Sequence, residues 1–310
     1  ELKYNDIKNI MTSILDNNQE VVDQIREIYL HASPEKLRQI IAKHFIPTRE
    51  EQKKQSEFPT SVLLVDNMLL LVNSLFWKKS HRILEPCCGK GNFVLAIFDK
   101  FYNGLNHDYP DQYTRCKKII NDCLNYGDIS PFNVFVTTEL LKCHIQSYCA
   151  IDDFSEFNFQ TYTGDLLDNK KSKIDYANWK DFDAVIGNPP YDQGKNHNFY
   201  INFIDKSHEF LKPQGILLFV IPNRFLLPKH SANNCLNNKF QFLDIYHTTN
   251  EFKVSTDIGY FIALKNDKDK INNTHVKTVF KNNEIQFIDL NIPTPTKTND
   301  YNYKKLSDKK

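Results

Sequence analysis

Ile83-Leu84-Glu85-Pro86-Cys87-Cys88-Gly89-Lys90-Gly91-Asn92-Phe93 is an apolar run that ends in an acidic-proline pair, crosses two glycines and re-enters an apolar pattern. The run predicts a short buried strand over Arg82–Glu85, and the spacing after it predicts a helix over Asn92–Phe101. A strand feeding a glycine turn and then a helix is the repeating unit of a doubly wound α/β sheet, where ligands sit beyond the carboxyl ends of the strands. Glycines at that turn let backbone come close to a ligand. The chain has nine glycines in 310 residues, so two of them at adjacent alternate positions carry information. The third glycine of G-x-G-x-x-G is missing and no G-K-[ST] follows, so neither a dinucleotide fingerprint nor a phosphate loop is complete.

Outward from this segment, strand and helix patterns alternate from Phe58 onward, which predicts an α/β domain with a mostly parallel sheet over 58–266. Strands are expected at Arg82–Glu85, Asn133–Thr137, Gln160–Thr163, Ala184–Ile186, Ile216–Ile221 and Leu243–His247. A further pair is expected near Asp257–Leu264 and Val276–Phe280. Helices are expected at Asn92–Phe101, Glu139–Ala150 and Asn198–Leu211, and Ser61–Trp77 reads as a buried amphipathic helix. Residues 1–57 read as an N-terminal helical region, with apolar positions at Ile7, Ile10, Ile14 and at Val21, Ile25, Ile28. Ser33-Pro34-Glu35 has the form of a helix start. Residues 267–310 read as a C-terminal extension of short strands and an irregular tail.

Composition bounds the function classes. Hydrophobic residues make up 41%, aromatic residues 13% and charged residues 25% of the chain, as in an ordinary globular protein. No apolar run approaches the roughly 18–20 residues of a membrane span, and no secretory signal is seen at the start, so a cytoplasmic location is expected. The seven cysteines are scattered without C-x-x-C spacing, which suits reduced thiols. Cys143, His144 and Cys149 match no usual zinc spacing, and no metal site is expected. A formal net charge of +1 means that contact with a polyanion must come from local patches such as Lys78, Lys79, His81 and Arg82.

Three more segments carry candidate chemistry. Val134-Phe135-Val136-Thr137-Thr138-Glu139 reads as a β-branched strand with a carboxylate just beyond it, where ribose hydroxyls could be held; a plain helix N-terminal acid is the alternative. Tyr162-Thr163-Gly164-Asp165-Leu166 ends a strand in a Gly-Asp pair, which is also a common turn. Phe182-Asp183-Ala184-Val185-Ile186-Gly187-Asn188-Pro189-Pro190-Tyr191 is decisive. A buried strand ends in Asn and two prolines, whose fixed φ leaves a rigid turn with exposed acceptors. The Asn188 side-chain oxygen and the Pro189 carbonyl can both accept hydrogen bonds from one planar NH₂ group. Tyr191 offers an aromatic face for a planar substrate.

Taken in order, these segments resemble the amino-methyltransferases with an Asn-Pro-Pro-Tyr motif, and most resemble N6-adenine DNA methyltransferases of restriction–modification type. The similarity covers roughly Phe58 to Asn266. It implies a Rossmann-like fold with an antiparallel C-terminal hairpin, S-adenosylmethionine as cofactor and DNA as partner. By the resemblance, Glu85, Pro86, Gly89, Gly91 and Phe93 bind the methionine part of the cofactor, together with Phe58, Pro59 and Thr60 at its amino-acid end. Glu139 is expected to hold the ribose, and Asp165 and Leu166 the adenine ring. Asn188, which also borders the cofactor, falls with Pro189, Pro190 and Tyr191 on the catalytic motif. Tyr191, Lys195, His197 and Phe199 are expected to contact the substrate. The segment Leu211 to Pro222 resembles the family's next turn and strand, and Phe252 and Thr256–Phe261 its closing hairpin.

The implied chemistry is direct in-line attack of an amino nitrogen on the sulfonium methyl, with positioning supplying most of the rate. A duplex substrate requires the adenine to be flipped out of the stack. Methylation of a protein glutamine amide, or of an RNA amino group, would use the same planar nitrogen and the same motif. The family usually carries a sizeable target-recognition domain, while about 45 residues follow this methyltransferase core, so recognition is expected from the N-terminal helices, a further region or a separate specificity subunit.

Overall fold

The structure is a computed structural model, and it describes residues 60–168, 179–191, 198–226, 230–248, 257–266, 273–280 and 282–290. The helical region expected over 1–57, Phe58, Pro59, Lys195, His197, Phe252, Thr256 and the tail beyond 290 lie outside the described residues. The described residues fall into two compact units, one from Thr60 to Asp168 and the other from Trp179 to Leu290.

In the first unit, helix α1 (Val62–Leu69) is capped by the Ser61 hydroxyl, which accepts from the Leu64 amide. It buries Leu64, Val65, Met68 and Leu69. The helix expected to Trp77 stops at Leu69, and beyond it the Asn73 side chain accepts from the Leu75 amide at 2.9 Å and turns the chain. Strand β1 (Ile83–Glu85) follows, fully buried, then helix α2 (Asn92–Gly104). Helix α3 (Gln112–Lys118) runs through a π-turn, Ile119–Cys123, into strand β2 (Leu124–Asp128). Helix α4 (Pro131–Gln146) leads to strand β3 (Gln160–Thr163). The three strands are parallel in the order β3-β2-β1, with Glu85 opposite Tyr126 and Asp128 opposite Thr163. Their carboxyl ends therefore lie along one edge.

One expectation fails here. Asn133–Thr137 is not a strand but the first turns of α4. Ser130 accepts from the Asn133 amide, and Pro131 opens the helix where its missing N–H costs nothing. Val134, Thr137 and Leu141 are buried at helical spacing, so packing outweighs the strand preference of the β-branched run.

In the second unit, strand β4 (Phe182–Gly187), helix α5 (Tyr200–Phe210) and strand β5 (Leu211–Pro222) form a parallel crossover, with Gly187 opposite Phe219. A short 3₁₀ turn (Asn223–Leu226) and helix α6 (Ser231–Asn237) lead into strands β6 (Phe240–His247), β7 (Ile258–Lys265), β8 (Val276–Val279) and β9 (Ile285–Ile288). The strand order is β4-β5-β7-β6-β8-β9. Strand β7 is antiparallel to both β5 and β6, which is the antiparallel hairpin expected at this end of the sheet. The pairing expected between β7 and β8 does not form; β8 lies parallel to β6 and antiparallel to β9. Because β4, β5 and β6 all run the same way, Asn188 and Asn223, which follow β4 and β5, and His247, which ends β6, stand on one edge. Among the described residues no helix is long and apolar enough to cross a membrane.

Candidate active site

The glycine loop of the first unit is clasped from three directions. Gly89 and Gly91 adopt φ of 50° and 88°, the left-handed region that suits glycine. A Cβ on Gly91 would lie 3.1 Å from the Thr137 methyl. The Cys88 amide donates to the Gly127 carbonyl at 2.8 Å, and the Gly89 amide to the Asp128 carboxylate at 3.0 Å, so the end of β2 grips the loop. The Thr137 hydroxyl donates to the Gly89 carbonyl at 3.0 Å from α4. The Tyr162 hydroxyl, from β3, donates to the Pro86 carbonyl. Asn92 opens α2, and its amide donates to the Thr60 carbonyl at 2.8 Å, bringing the Thr60 segment to the loop. Phe93 is buried one residue further on.

Glu85 is wholly buried at the end of β1. One carboxylate oxygen accepts from the Cys87 amide at 2.9 Å, while Oε2 has no hydrogen-bond partner among the described residues. Burial pushes its carboxyl well above the usual 4.5, the Cys87 amide opposes this, and Asp128 adds to it. A buried acceptor without a donor is costly, and the amino group of a cationic amino acid would satisfy it. These residues fit an S-adenosylmethionine-type ligand on that ground. Cys87 and Cys88 are poor nucleophiles here, since burial and the neighbouring carboxylates raise both thiols. All seven cysteines are free thiols.

Glu139 does not stand at a strand end. It lies in the middle of α4, 6% exposed, and its carboxylate pairs with Lys142 at 2.7 Å one helical turn on. The acid at the end of β2 is Asp128, which the sequence reading missed. Its two oxygens accept from the Ser130 and Gly89 amides at 2.9 and 3.0 Å. Burial raises its carboxyl, opposed by the two amides, by Asn133 and by Lys90. The available signal was the Ser130-Pro131 helix start, which places the end of the preceding strand just before it. Asp165 does follow β3. The Gly164 amide donates to the Asp128 carbonyl at 3.0 Å, and the Asp165 side chain accepts from Leu167 at 2.9 Å in a local turn, with Leu166 buried beside it. His144, weighed as a zinc ligand, instead bonds Asp99 at 2.6 Å, and no group of three metal-ligating side chains occurs among the described residues.

In the second unit, Asn188-Pro189-Pro190-Tyr191 leaves the carboxyl end of β4. Asn188 and Pro190 are half-buried and Pro189 is buried. The Tyr191 ring is 6% exposed, and its carbonyl accepts from the Phe199 amide at 3.0 Å, which brings Phe199 back to the motif. Phe199 packs edge-on against Phe203. Burial raises the Tyr191 phenol, with Asn188 beside it acting the other way. A polar tie not read from the sequence stands at the same edge. Asn223, buried just past β5, donates its backbone N–H to the Asp257 carbonyl at 2.9 Å, and its amide meets His247 Nδ1 at 2.9 Å. A Cβ on Gly259 would lie 2.3 Å from the Asn223 side-chain oxygen, so glycine is needed for the close approach.

Residues 122–254 match the family model of the Eco57I restriction-modification methylases. The match spans Asp128, Asp165, Asn188–Tyr191 and Asn223, and begins after the glycine loop. No curated protein matches the sequence. Among solved structures, a putative class I S-adenosylmethionine-dependent methyltransferase from Listeria monocytogenes superposes with a TM-score of 0.52 at 16% identity, over 86% of this chain and 76% of that one. The EcoKI M protein of a type I restriction enzyme gives 0.54 at 16% identity, over 90% of this chain and 61% of that one. The ATP-dependent type ISP restriction-modification enzyme LlaBIII bound to DNA gives 0.60 at 14% identity, over 83% of this chain and 22% of that one. This chain thus spans less than two thirds of each of the two restriction enzyme chains. Its fold is that of the class I S-adenosylmethionine-dependent methyltransferases, and within that fold the segment 122–254 matches the Eco57I restriction-modification methylase family.

Proposed function

We propose that the chain transfers a methyl group from S-adenosylmethionine to the N6 amino group of adenine in DNA. The observation that carries this reading is the Asn188-Pro189-Pro190-Tyr191 turn at the carboxyl end of a buried parallel strand, inside the segment that matches a restriction-modification methylase family. LlaBIII, a similar fold, is bound to DNA, which favours a nucleic acid over a protein amide as substrate.

The cofactor supplies an electrophilic methyl carbon on a sulfonium. Glu85 would accept from its amino group, the Gly89–Gly91 loop would hold its amino-acid end, Asp128 would accept from its ribose, and Asp165 with Leu166 would hold its adenine. Asp128 takes the ribose role because it stands at a strand end, whereas Glu139 is committed to Lys142. Asn188 and the Pro189 carbonyl accept the two N–H bonds of the target amino group. This holds the nitrogen in one orientation and draws electron density onto it. Methyl transfer to the nitrogen would leave the bonding pair on the cofactor's sulfur, and the amino group held by Asn188 and Pro189 would shed one N–H proton to solvent. Tyr191 and Phe199 supply aromatic surface for a base taken out of its stack. Lys195 and His197 belong to the same connection and are proposed to contact the substrate. Choice of DNA sequence is assigned to a further region or to a separate specificity subunit.

The test is transfer of labelled methyl from S-adenosylmethionine to unmethylated DNA, RNA and a protein extract, with the product identified by mass. The expected outcome is N6-methyladenine in DNA, reduced roughly a hundredfold or more by Asn188→Ala while cofactor binding persists. Label in glutamine or RNA would overturn the substrate, and absence of cofactor binding would overturn the whole reading.

A further inference from the structure

Lys90 stands between the two loop glycines and is 8% exposed. Lysine is almost never buried unless its ammonium is held, and a methionine of similar length would fill the same space without that cost. Its Nζ donates to the side-chain oxygen of Asn133, itself buried in the first turn of α4. The Asn133 amide caps onto Ser130, whose own amide donates to Asp128. Lys90, Asn133, Ser130 and Asp128 thus form one connected polar group on a single unit, reaching from the glycine loop to the end of β2.

We propose that Lys90 is a positioning residue that keeps Asp128 ionised and oriented for the cofactor's ribose; this rests on reading the loop as an S-adenosylmethionine site. Each Asp128 oxygen accepts one backbone amide and the Asn133 side chain bonds the carboxylate as well, which leaves acceptor capacity for a ribose hydroxyl donor. That arrangement works only with the carboxyl deprotonated, and burial opposes ionisation. The Asp128 charge in turn raises the titratable groups that face it, Glu85 on β1, Cys87 and Cys88 in the loop and Tyr162 on β3. Asp165 faces Cys87 in the same cluster. Helix α4 contributes only neutral groups here, Asn133 and Thr137. Among the described residues, Lys90 is the cation acting on Asp128. Asn133 holds the ammonium in place without neutralising it.

The experiment is calorimetric titration of S-adenosylmethionine and S-adenosylhomocysteine into wild type, Lys90→Met and Lys90→Arg from pH 5.5 to 8.5. Lys90→Met is expected to bind both ligands about tenfold more weakly at the acid end, since a protonated Asp128 forfeits charge-assisted hydrogen bonding worth about a factor of ten or more, and to converge on wild type at the alkaline end. Lys90→Arg is expected to keep the wild-type profile. Binding heats in two buffers of different ionisation enthalpy should show proton release by Lys90→Met at neutral pH beyond that of wild type. Should Lys90→Met fail to fold, Lys90→Gln, which removes the charge but keeps a polar end, is expected to show the same pH-dependent loss. A loss equal at every pH, or superimposed profiles, would overturn the role of Lys90. Failure of wild type to bind either ligand would instead overturn the reading of the site.

Discussion

Gly127 lies directly opposite Tyr162 across the β2–β3 pair, and a Cβ added to it would sit 2.1 Å from the Tyr162 ring. No small adjustment relieves such an overlap, because the ring is buried and its hydroxyl is held by the Pro86 carbonyl. Gly127→Ala must displace the ring, strain the strand pair and break that bond. Overpacking costs about 1–3 kcal/mol and a buried hydroxyl left unmade a further 1–3, so the loss is roughly 2–6 kcal/mol. That is a large share of the roughly 5–15 kcal/mol that holds a domain folded. Tyr162→Ala alone should cost about 3–5 kcal/mol, as for other large aromatic truncations. The double variant distinguishes the mechanism. With the ring gone, alanine at 127 meets open space and should add little, so the two losses should fall short of additivity by at least about 2 kcal/mol. Urea unfolding of wild type, both single variants and the double variant measures this directly. Additive losses would refute the steric account and place the cost of Gly127→Ala in the strand itself.

Two other outcomes follow from the same site. Asp128→Ala should weaken S-adenosylmethionine binding roughly ten- to a hundredfold, since hydrogen bonds to a charged acceptor are worth about 1.5–3 kcal/mol, while Glu139→Gln should leave affinity unchanged; equilibrium binding decides, and the reverse pattern would restore Glu139 to the ribose. Glu85, whose folded carboxyl lies well above 4.5, lends the ligand-free protein stability that is fully present below about 4.5 and is lost as pH rises through the folded value. Glu85→Gln should therefore flatten the decline in unfolding free energy between acid and neutral pH and stabilise the ligand-free protein at pH 7, and urea melts over a pH series that show the same slope for both proteins would contradict it.

How much of this could be read beforehand differs between segments for physical reasons. Strand β3 and the strand entering Asn188 are runs whose side chains are mostly apolar or strand-favouring, bounded by Gly or Pro, so local pattern and tertiary fate agree. Strand β2 is the opposite case. Leu124-Asn125-Tyr126-Gly127-Asp128 contains three residues that disfavour strands, and each is rescued by something distant. The Asn125 amide donates to the Ile83 carbonyl, Gly127 lies under Tyr162, and Asp128 takes the Gly89 amide. The β-branched run that follows looks like the missing strand and becomes a helix because Ser130 and Pro131 start one and its buried stripe packs.

The sequence by itself determined the α/β class, the glycine loop after β1, the Asp165 turn and the Asn-Pro-Pro-Tyr turn, because each is written in contiguous residues whose backbone preferences are local. Tertiary structure alone decided which carboxylate ends the second strand, that Lys90 is buried beside it, and that Asn223 meets His247. Those pairings join residues 24 to 43 positions apart, and the strand order that brings them together is set by burial and close packing, which no short window of sequence records.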